Sequence, residues 1–303
     1  KWGYIDKNGS FRINPVFSSA DDFQDNGRAV VSTGNMYGVI DTAGNYVIKP
    51  AYDYINKYHE GIIVVWGRNE AISMDEEGKE LFRSKEAIGD FHEGRAYYAV
   101  SDASGTWLYG YIDKQGKIVI QPKYVTPGDF KGGKTLVRLS DERYEIIDNK
   151  GETLKSFNYN IVSDFSEGLL AYQQKPGDKF GFMDEKGKVV IQPRFQGVAS
   201  GFINGRAIVD TSEDYFNPRR GLIDRKGKFV IKPEYSDIQA MGENRYAVGI
   251  LIDSSNPPKG SRYAISDQNG KLLTDFLYYG VSKYKNNLAS VYDKTKTYFI
   301  DLS

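Results

Sequence analysis

Short segments of alternating apolar and polar residues recur along the chain, and the same turn interrupts each of them. The stretch Gly38–Pro50 shows the unit: an apolar arm ends at Ile40, a turn runs from Asp41 to Gly44, and a second arm ends at Pro50. A period of two predicts half-buried β-strands. Aspartate at the first turn position can accept backbone N–H groups, and glycine at the fourth tolerates positive φ, so we predict a hairpin.

The hairpin pattern is repeated over the whole chain. The turn aspartates are spaced by 35, 34, 38, 35, 36, 40, 43 and 34 residues, and they are Asp6, Asp41, Asp75, Asp113, Asp148, Asp184, Asp224, Asp267 and a final Asp301. Five second arms end in proline, which cannot donate to a strand ladder, at Pro15, Pro50, Pro122, Pro193 and Pro233. An aromatic residue follows in most copies, and a further strand then leads into the next turn. Each copy therefore predicts three strands and a short fourth.

A repeat this small cannot bury both faces alone, so we expect it to pack against its neighbours through the recurring aromatic residues. The predicted fold is all-β: eight antiparallel hairpin or meander repeats and a partial C-terminal one, arranged as a β-propeller-like ring. The alternative is an open superhelical array of hairpins. We predict one repeat domain over residues 1–303, with units starting near residues 3, 37, 70, 110, 144, 180, 221 and 263 and a partial cap at 298–303.

Charge and cysteine content narrow the possible functions. Forty basic and forty acidic residues cancel and are scattered, which argues against nucleic acid or an anionic membrane as partner. The absence of cysteine excludes disulfides, thiol nucleophiles and thiolate zinc sites. No apolar run reaches the roughly 20 residues needed to span a bilayer. Because the sequence starts with Lys1 inside a repeat and without methionine, we expect that a leader has been removed.

The segments Lys1–Gly9 and Phe180–Phe195 resemble the consensus of the bacterial WG-repeat (KWG-repeat) family, and the resemblance extends over the whole chain. The chain departs from that consensus because only the first copy keeps its tryptophan, Trp2, which is expected to pack in the core. The resemblance implies a bacterial protein that is often exported or joined to other modules. It implies no single activity, and it supplies no catalytic residue.

The turn aspartates and the two histidines are expected to have structural roles. Each turn offers one aspartate, whereas a calcium loop needs several oxygen ligands within one loop, so we predict turn capping. His59 and His92 occupy a position where other copies carry glutamine, lysine or serine, and we expect solvated turn residues. No zinc-protease, nucleophile-elbow or phosphate-loop pattern is present. We therefore predict no enzyme, no cofactor and no metal site.

Irregular repeat lengths point to a binding surface. The three longest repeats owe most of their extra length to one connection, which spans residues 101–107, 211–220 and 253–260 in the three copies. Insertions in equivalent loops lie on the same side of a repeat array, often the binding side. The residue types that dominate interfaces occur there, and the predicted binding residues are Trp107, Tyr215, Phe216, Arg219, Arg220 and Asp102. The alternative is that these are tolerated surface loops without a role.

The sequence thus predicts a non-enzymatic binding or scaffolding module that recognises a protein or a glycan, located outside the cell or at its surface. Two alternatives remain open: a glycan-active enzyme using Asp102, Glu213 or Asp214 as paired acids, and a structural spacer without a ligand.

Overall fold

The chain forms antiparallel sheets only. The structure is a computed structural model that describes residues 1–6, 8–161, 163, 165–253 and 260–302, and these residues contain strands β1 to β31 and no helix. The chain divides into two compact units, Lys1–Ser156 and Phe157–Ser303. The all-β prediction is confirmed. The single domain over residues 1–303 and the closed ring stay predictions.

The first half of the chain forms one short sheet and four meanders in which consecutive strands pair. The strands of these sheets are β1 (Trp2–Ile5) and β2 (Phe11–Phe17); β3 (Ser19–Ala20), β4 (Ala29–Thr33), β5 (Met36–Ile40) and β6 (Tyr46–Tyr52); β7 (Tyr54–Ile55), β8 (Ile63–Gly67), β9 (Glu70–Met74) and β10 (Glu80–Ser84); β11 (Ala87–Ile88), β12 (Ala96–Ser101), β13 (Trp107–Ile112) and β14 (Ile118–Tyr124); and β15 (Lys134–Arg138), β16 (Tyr144–Asp148) and β17 (Thr153–Phe157).

The second half repeats the meander in four further sheets. Their strands are β18 (Asn160–Ile161), β19 (Leu169–Gln173), β20 (Phe180–Asp184) and β21 (Val189–Phe195); β22 (Gly197–Val198), β23 (Arg206–Asp210), β24 (Arg220–Asp224) and β25 (Phe229–Tyr235); β26 (Asp237–Gly242), β27 (Arg245–Leu251) and β28 (Ser261–Asp267); and β29 (Gly280–Val281), β30 (Ala289–Tyr292) and β31 (Thr297–Ile300). The predicted short strand is two residues long in β3, β7, β11, β18, β22 and β29.

Every turn aspartate of the eight full copies caps its own hairpin. At Asp41, the N–H groups of Ala43 and Asn45 donate to Oδ1 at 2.9 and 2.8 Å, and the Gly44 N–H donates to the Asp41 carbonyl at 3.0 Å. The same two bonds to Oδ1 form at Asp6, Asp75, Asp113, Asp148, Asp184, Asp224 and Asp267. The capping role predicted for these carboxylates is confirmed.

The core lies between successive sheets rather than within one. Ile48 on β6 packs in one cluster with Ile63 on β8, and Phe195 on β21 packs with Ala207 on β23. The small alanine that follows Gly205-Arg206 is completely buried at this contact. At these two contacts, one within each unit, the predicted packing of a repeat on its neighbour is confirmed.

Trp2 is an exception, because 62% of it is exposed. It lies in the two-stranded sheet β1–β2, where less neighbouring surface is available to cover it. The equivalent Tyr37 lies in a four-stranded sheet and packs against the core of its own repeat and the next. The prediction that Trp2 packs in the core is wrong.

Glycine in the third strand allows close backbone approach to the following strand. A Cβ atom on Gly38 would lie 2.6 Å from the Ile48 carbonyl oxygen and 2.8 Å from the Pro50 nitrogen. Strand pairing explains the crowding: Tyr37 pairs with Tyr52 and Val39 with Ile48, so three residues of β6 bulge opposite Gly38 alone. Proline fits the bulge because its missing N–H is not needed for the ladder there.

The glycine and the proline occur together. Glycine stands three residues before the turn aspartate in the five copies that also carry the proline, and the pairs are Gly3 and Pro15, Gly38 and Pro50, Gly110 and Pro122, Gly181 and Pro193, and Gly221 and Pro233. All five show the same bulged pairing. The third copy has Ile72 and Ser84 instead, and there Ile72 pairs regularly with Arg83. The two residues therefore specify one local backbone geometry.

Carboxylates link the turns of successive repeats. Glu60 accepts the N–H groups of Glu93 and Gly94, and Glu93 in turn accepts those of Gly132 and Gly133 at 2.7 Å each. Glu60 and Glu93 have φ values of 54° and 51°, which glutamate rarely adopts. The bonds to the next repeat offset this backbone strain.

His59 and His92 lie on the same line of turns. Their rings are in contact at a tilt of 49°, with centroids 4.8 Å apart. Each Nε2 lies near an aspartate, 3.4 Å from Asp90 for His59 and 3.5 Å from Asp129 for His92. Both histidines are therefore partly covered, which corrects the expectation of solvated turn residues. The cause is the repeat itself, which places equivalent turn residues side by side.

The close approach at Gly38 predicts that Gly38→Ala lowers the free energy of unfolding by about 1–3 kcal/mol, since the bulged strand must move away from the added methyl group. Gly67→Ala is the matched control, because its Cβ would lie no closer than 3.5 Å to any neighbouring atom, the nearest being in the Tyr52 side chain. We expect Gly67→Ala to change stability by less than about 0.5 kcal/mol. Equal effects of both variants in urea denaturation would contradict the proposed constraint.

Two turn glutamates with positive φ should respond in opposite ways when each is replaced by glycine, which relieves the same backbone strain: one variant should lose stability and the other should not. Glu93→Gly should destabilise the chain by about 1 kcal/mol, because the lost charge-assisted bonds outweigh the relief of the positive φ. Glu142 also has positive φ, at 70°, but makes only an exposed ion pair with Arg138. Glu142→Gly should be neutral or stabilising. Thermal unfolding of both variants tests this, and a stabilised Glu93→Gly protein would refute the role of the carboxylate.

Candidate binding cleft

The connection between β23 and β24 forms one wall of a cleft in the second unit. It joins Asp210 on β23 to Arg220 on β24, which pair directly, whereas the equivalent connection in the second sheet joins Thr33 to Met36. The cleft has a volume of about 1020 Å³. Its walls include Asp178, Lys179, Gln196, Ser236 and Ser261 besides residues of the connection such as Glu213.

Hydrogen bonds hold the connection in a defined shape. Asp210 Oδ1 accepts the N–H groups of Ser212 at 2.8 Å and Arg219 at 3.0 Å, which closes the base of the loop. Near the tip, Asp214 Oδ1 accepts the N–H of Phe216 at 2.9 Å, and its Oδ2 accepts the Asn217 amide at 2.6 Å. These bonds lower the pKa of the Asp214 carboxyl, with the Asn217 side chain as the main cause. The tip is thus preorganised by its own polar groups.

The preorganised tip projects two aromatic rings. Tyr215 is 89% exposed and Phe216 is 42% exposed, and their rings meet edge to face with centroids 5.5 Å apart. A nearly fully exposed tyrosine gains nothing in folding from burial. Both rings line the cleft, so their apolar surface is available to a ligand.

Arg220 lines the same cleft, and its guanidinium is held in place by Asp237. Its Nη1 donates to Asp237 Oδ1, and Tyr263 donates its hydroxyl to Asp237 Oδ2 at 2.8 Å. Burial together with this aspartate raises the pKa of Tyr263 to about 12, so that its hydroxyl stays a donor. Arg219 is exposed and does not line the cleft, and its backbone closes the loop base.

The structure places the remaining predicted residues elsewhere. Both lie in the first unit: Asp102 is in the connection between β12 and β13, and Trp107 is the first residue of β13. Asp102 Oδ1 accepts the N–H groups of Ser104 at 2.8 Å and Thr106 at 2.9 Å, which repeats the bonding of the turn aspartates. The Ser104 side chain contributes most to lowering the pKa of Asp102. Trp107 follows this turn and is 53% exposed.

The third long connection, 253–260, lies mostly outside the described residues, since only Asp253 and Gly260 belong to them. Sequence patterns did not indicate Asp178, Gln196 or Ser236, because these side chains come from other connections and meet the loop only in the fold. The excess length of the connection was the signal that located the cleft.

No described group of three or more histidine, aspartate or glutamate side chains is arranged to hold a metal ion. The described residues likewise contain no helix long and apolar enough to cross a membrane.

The family model for the WG containing repeat matches six stretches, at residues 2–37, 37–65, 109–142, 146–175, 180–211 and 221–250. The chain belongs to the WG-repeat family. The unmatched regions include the third copy, which lacks both the glycine and the proline. Among curated proteins, no relative matches the sequence.

Solved structures with a similar fold are β-propeller proteins. A crystal structure described as the eukaryotic initiation factor aligns with a TM-score of 0.59 at 11% identity, covering 91% of this chain and 84% of that one. BamB from Moraxella catarrhalis aligns at 0.49 and 13% identity, covering 92% and 89%, and apo AztD from Citrobacter koseri at 0.47 and 13%, covering 86% and 85%. The initiation-factor structure is a β-propeller, and its alignment shows that the WG-repeat chain is β-propeller-like. Similarity at this level of identity concerns the fold alone.

Proposed function

We propose that this WG-repeat protein is a non-enzymatic binding module that recognises a protein partner through the cleft beside Tyr215. The observation that carries the proposal is the pair of exposed aromatic rings on a loop fixed by its own hydrogen bonds. Aromatic and arginine side chains supply most of the binding energy in protein interfaces, and a preorganised loop loses little conformational entropy on binding.

A protein partner suits the cleft better than a glycan does. The opening is large, and Tyr215 and Phe216 meet edge to face instead of forming one flat platform. Such a protruding pair can enter a pocket of a partner, and Arg220 lines the same cleft with its guanidinium fixed on Asp237. Recognition of a glycan by the same cleft is the second candidate, favoured by the amide of Gln196 beside the aromatic rings.

The carboxylates support binding over glycan hydrolysis. A general acid needs a raised pKa, whereas the pKa values of Asp102 and Asp214 are lowered by bonds within their own loops. Glu213 accepts the Gln196 amide at 2.8 Å. Each acid that the sequence offered for catalysis thus has a structural partner.

We also propose that the protein is bacterial and acts outside the cytoplasm, at the cell surface or in the surrounding medium. Family resemblance supports this proposal. Fractionation of producing cells tests it, and recovery of the full-length protein from the cytoplasm alone would refute it.

A screen of displayed peptides and immobilised glycans tests the binding proposal. We expect peptide ligands whose affinity falls about 30-fold or more in the Tyr215→Ala/Phe216→Ala protein, because central aromatic residues contribute about 2 kcal/mol or more. The melting temperature should remain nearly unchanged, since both rings are exposed. Trp107→Ala tests separately whether the connection in the first unit contributes to binding.

Phe299→Ala is the matched control, because this exposed aromatic residue of the second unit does not line the cleft. It should retain wild-type affinity. If only glycans bind in this screen, the second candidate function, recognition of a glycan by the cleft, replaces the first. Unchanged binding by the Tyr215→Ala/Phe216→Ala protein, or a large loss of its stability, would overturn the assignment of the cleft.

A further inference from the structure

Arg206 differs from its equivalents in other repeats. Three copies share a Gly-Arg-Ala sequence, at Gly27–Ala29, Gly94–Ala96 and Gly205–Ala207. In the first two, the arginine Nε donates across to a turn of another sheet: Arg28 to the Glu76 carbonyl at 3.3 Å and Arg95 to the Asn149 carbonyl at 3.2 Å. The Nε of Arg206 is buried without any described acceptor. An unpaired buried donor on a charged group is costly.

A cavity lies beside the Arg206 side chain, while the Nε itself is shielded from solvent. It measures about 390 Å³ between the sheets of β22–β25 and β26–β28, close to the strand β29, and Arg206 lines it. Its apolar wall is formed by Ile208, Leu222, Ile238, Met241, Tyr246 and Val281. This volume falls within the range of small-molecule sites.

The polar groups of the cavity favour an anion. Arg206 and Lys283 are its charged lining residues, and no carboxylate is among the described residues that line it. The guanidinium of Arg206 otherwise donates only to the neighbouring Gly205 carbonyl, at 3.2 Å, among the described residues. Ser200 lines the cavity as well, and its Oγ accepts the Ile208 N–H at 3.1 Å. The Ser200 hydroxyl proton is therefore available to a second ligand oxygen.

We infer that this cavity binds a small monocarboxylate with an apolar body, with the carboxylate at Arg206 and Ser200 and the body against Ile238 and Leu222. An arginine fork matches the two oxygens of a carboxylate. The apolar wall would bury the remainder of the molecule, which contributes about 25 cal/mol for each Å² removed from water. This site is separate from the cleft beside Tyr215 and does not depend on the function proposed for that cleft.

Calorimetric titration with octanoate and 3-phenylpropionate, and with the alcohols octan-1-ol and 3-phenylpropan-1-ol, tests the inference. We expect at least one acid to bind. Its alcohol should bind with an affinity at least about tenfold lower, because it cannot form the charge-assisted hydrogen bond. Methyl NMR shifts at Ile238 and Met241 should report the same binding. If neither acid binds at about millimolar concentration, or if acid and alcohol bind equally, the inference is wrong.

Three variants locate the site. Arg206→Gln should weaken binding of the acid about tenfold or more, while Lys226→Gln, which removes a charge from an exposed turn, should not change it. Ala240→Leu should block the cavity, because Ala240 lines it. Melting temperatures identify any variant that fails to fold, and in that case the preference for acid over alcohol and the methyl shifts of the wild-type protein decide the matter. Full binding by folded Arg206→Gln protein would overturn the assignment.

Discussion

The close approach of two backbones at one glycine determines how five of the eight repeats bend. At Gly38 the neighbouring strand bulges by three residues opposite one, and a side chain would meet its carbonyl oxygen within van der Waals distance. Proline accompanies this glycine because the bulge leaves an N–H without a ladder partner. Five copies use this pair, and the third copy, which lacks both residues, has regular pairing instead. The bend and the position of the next aromatic residue therefore follow from two residues.

A scaffold defined by backbone contacts leaves the connections free to vary. The turn aspartates and the inter-repeat clusters fix the sheets, and none of them involves the connection between the second and third strands. Extra residues can accumulate there at little cost. In the repeat of Asp210 they form a loop with its own hydrogen bonds, and this loop carries Tyr215. The cavity at Arg206 lies between two sheets of the second unit, apart from this connection.

Local signals in the sequence predicted the fold well, because each hairpin depends on residues close in sequence, such as Asp41 and Gly44. The same reasoning failed for Trp2, whose burial depends on which strands surround it. It pointed to Tyr215, Phe216 and Arg220 through the length of their connection; these residues line one cleft, and their role in binding stays a prediction. It missed Gln196 and the cavity at Arg206, since these depend on contacts between repeats that no local pattern encodes. Asp102 was predicted as a binding residue although its spacing to Gly105 matches the turn motif.

The coupling between Gly38 and Pro50 tests the central claim most directly. A double-mutant cycle would compare Gly38→Ala, Pro50→Ser and the combined protein by urea unfolding. If the two residues specify one geometry, the combined protein should lose less stability than the sum of the single losses, by about 0.5–3 kcal/mol, because its strands can pair regularly as β9 and β10 do. Hydrogen exchange of the β5 and β6 amides would report the altered register. Additive losses would contradict the claim.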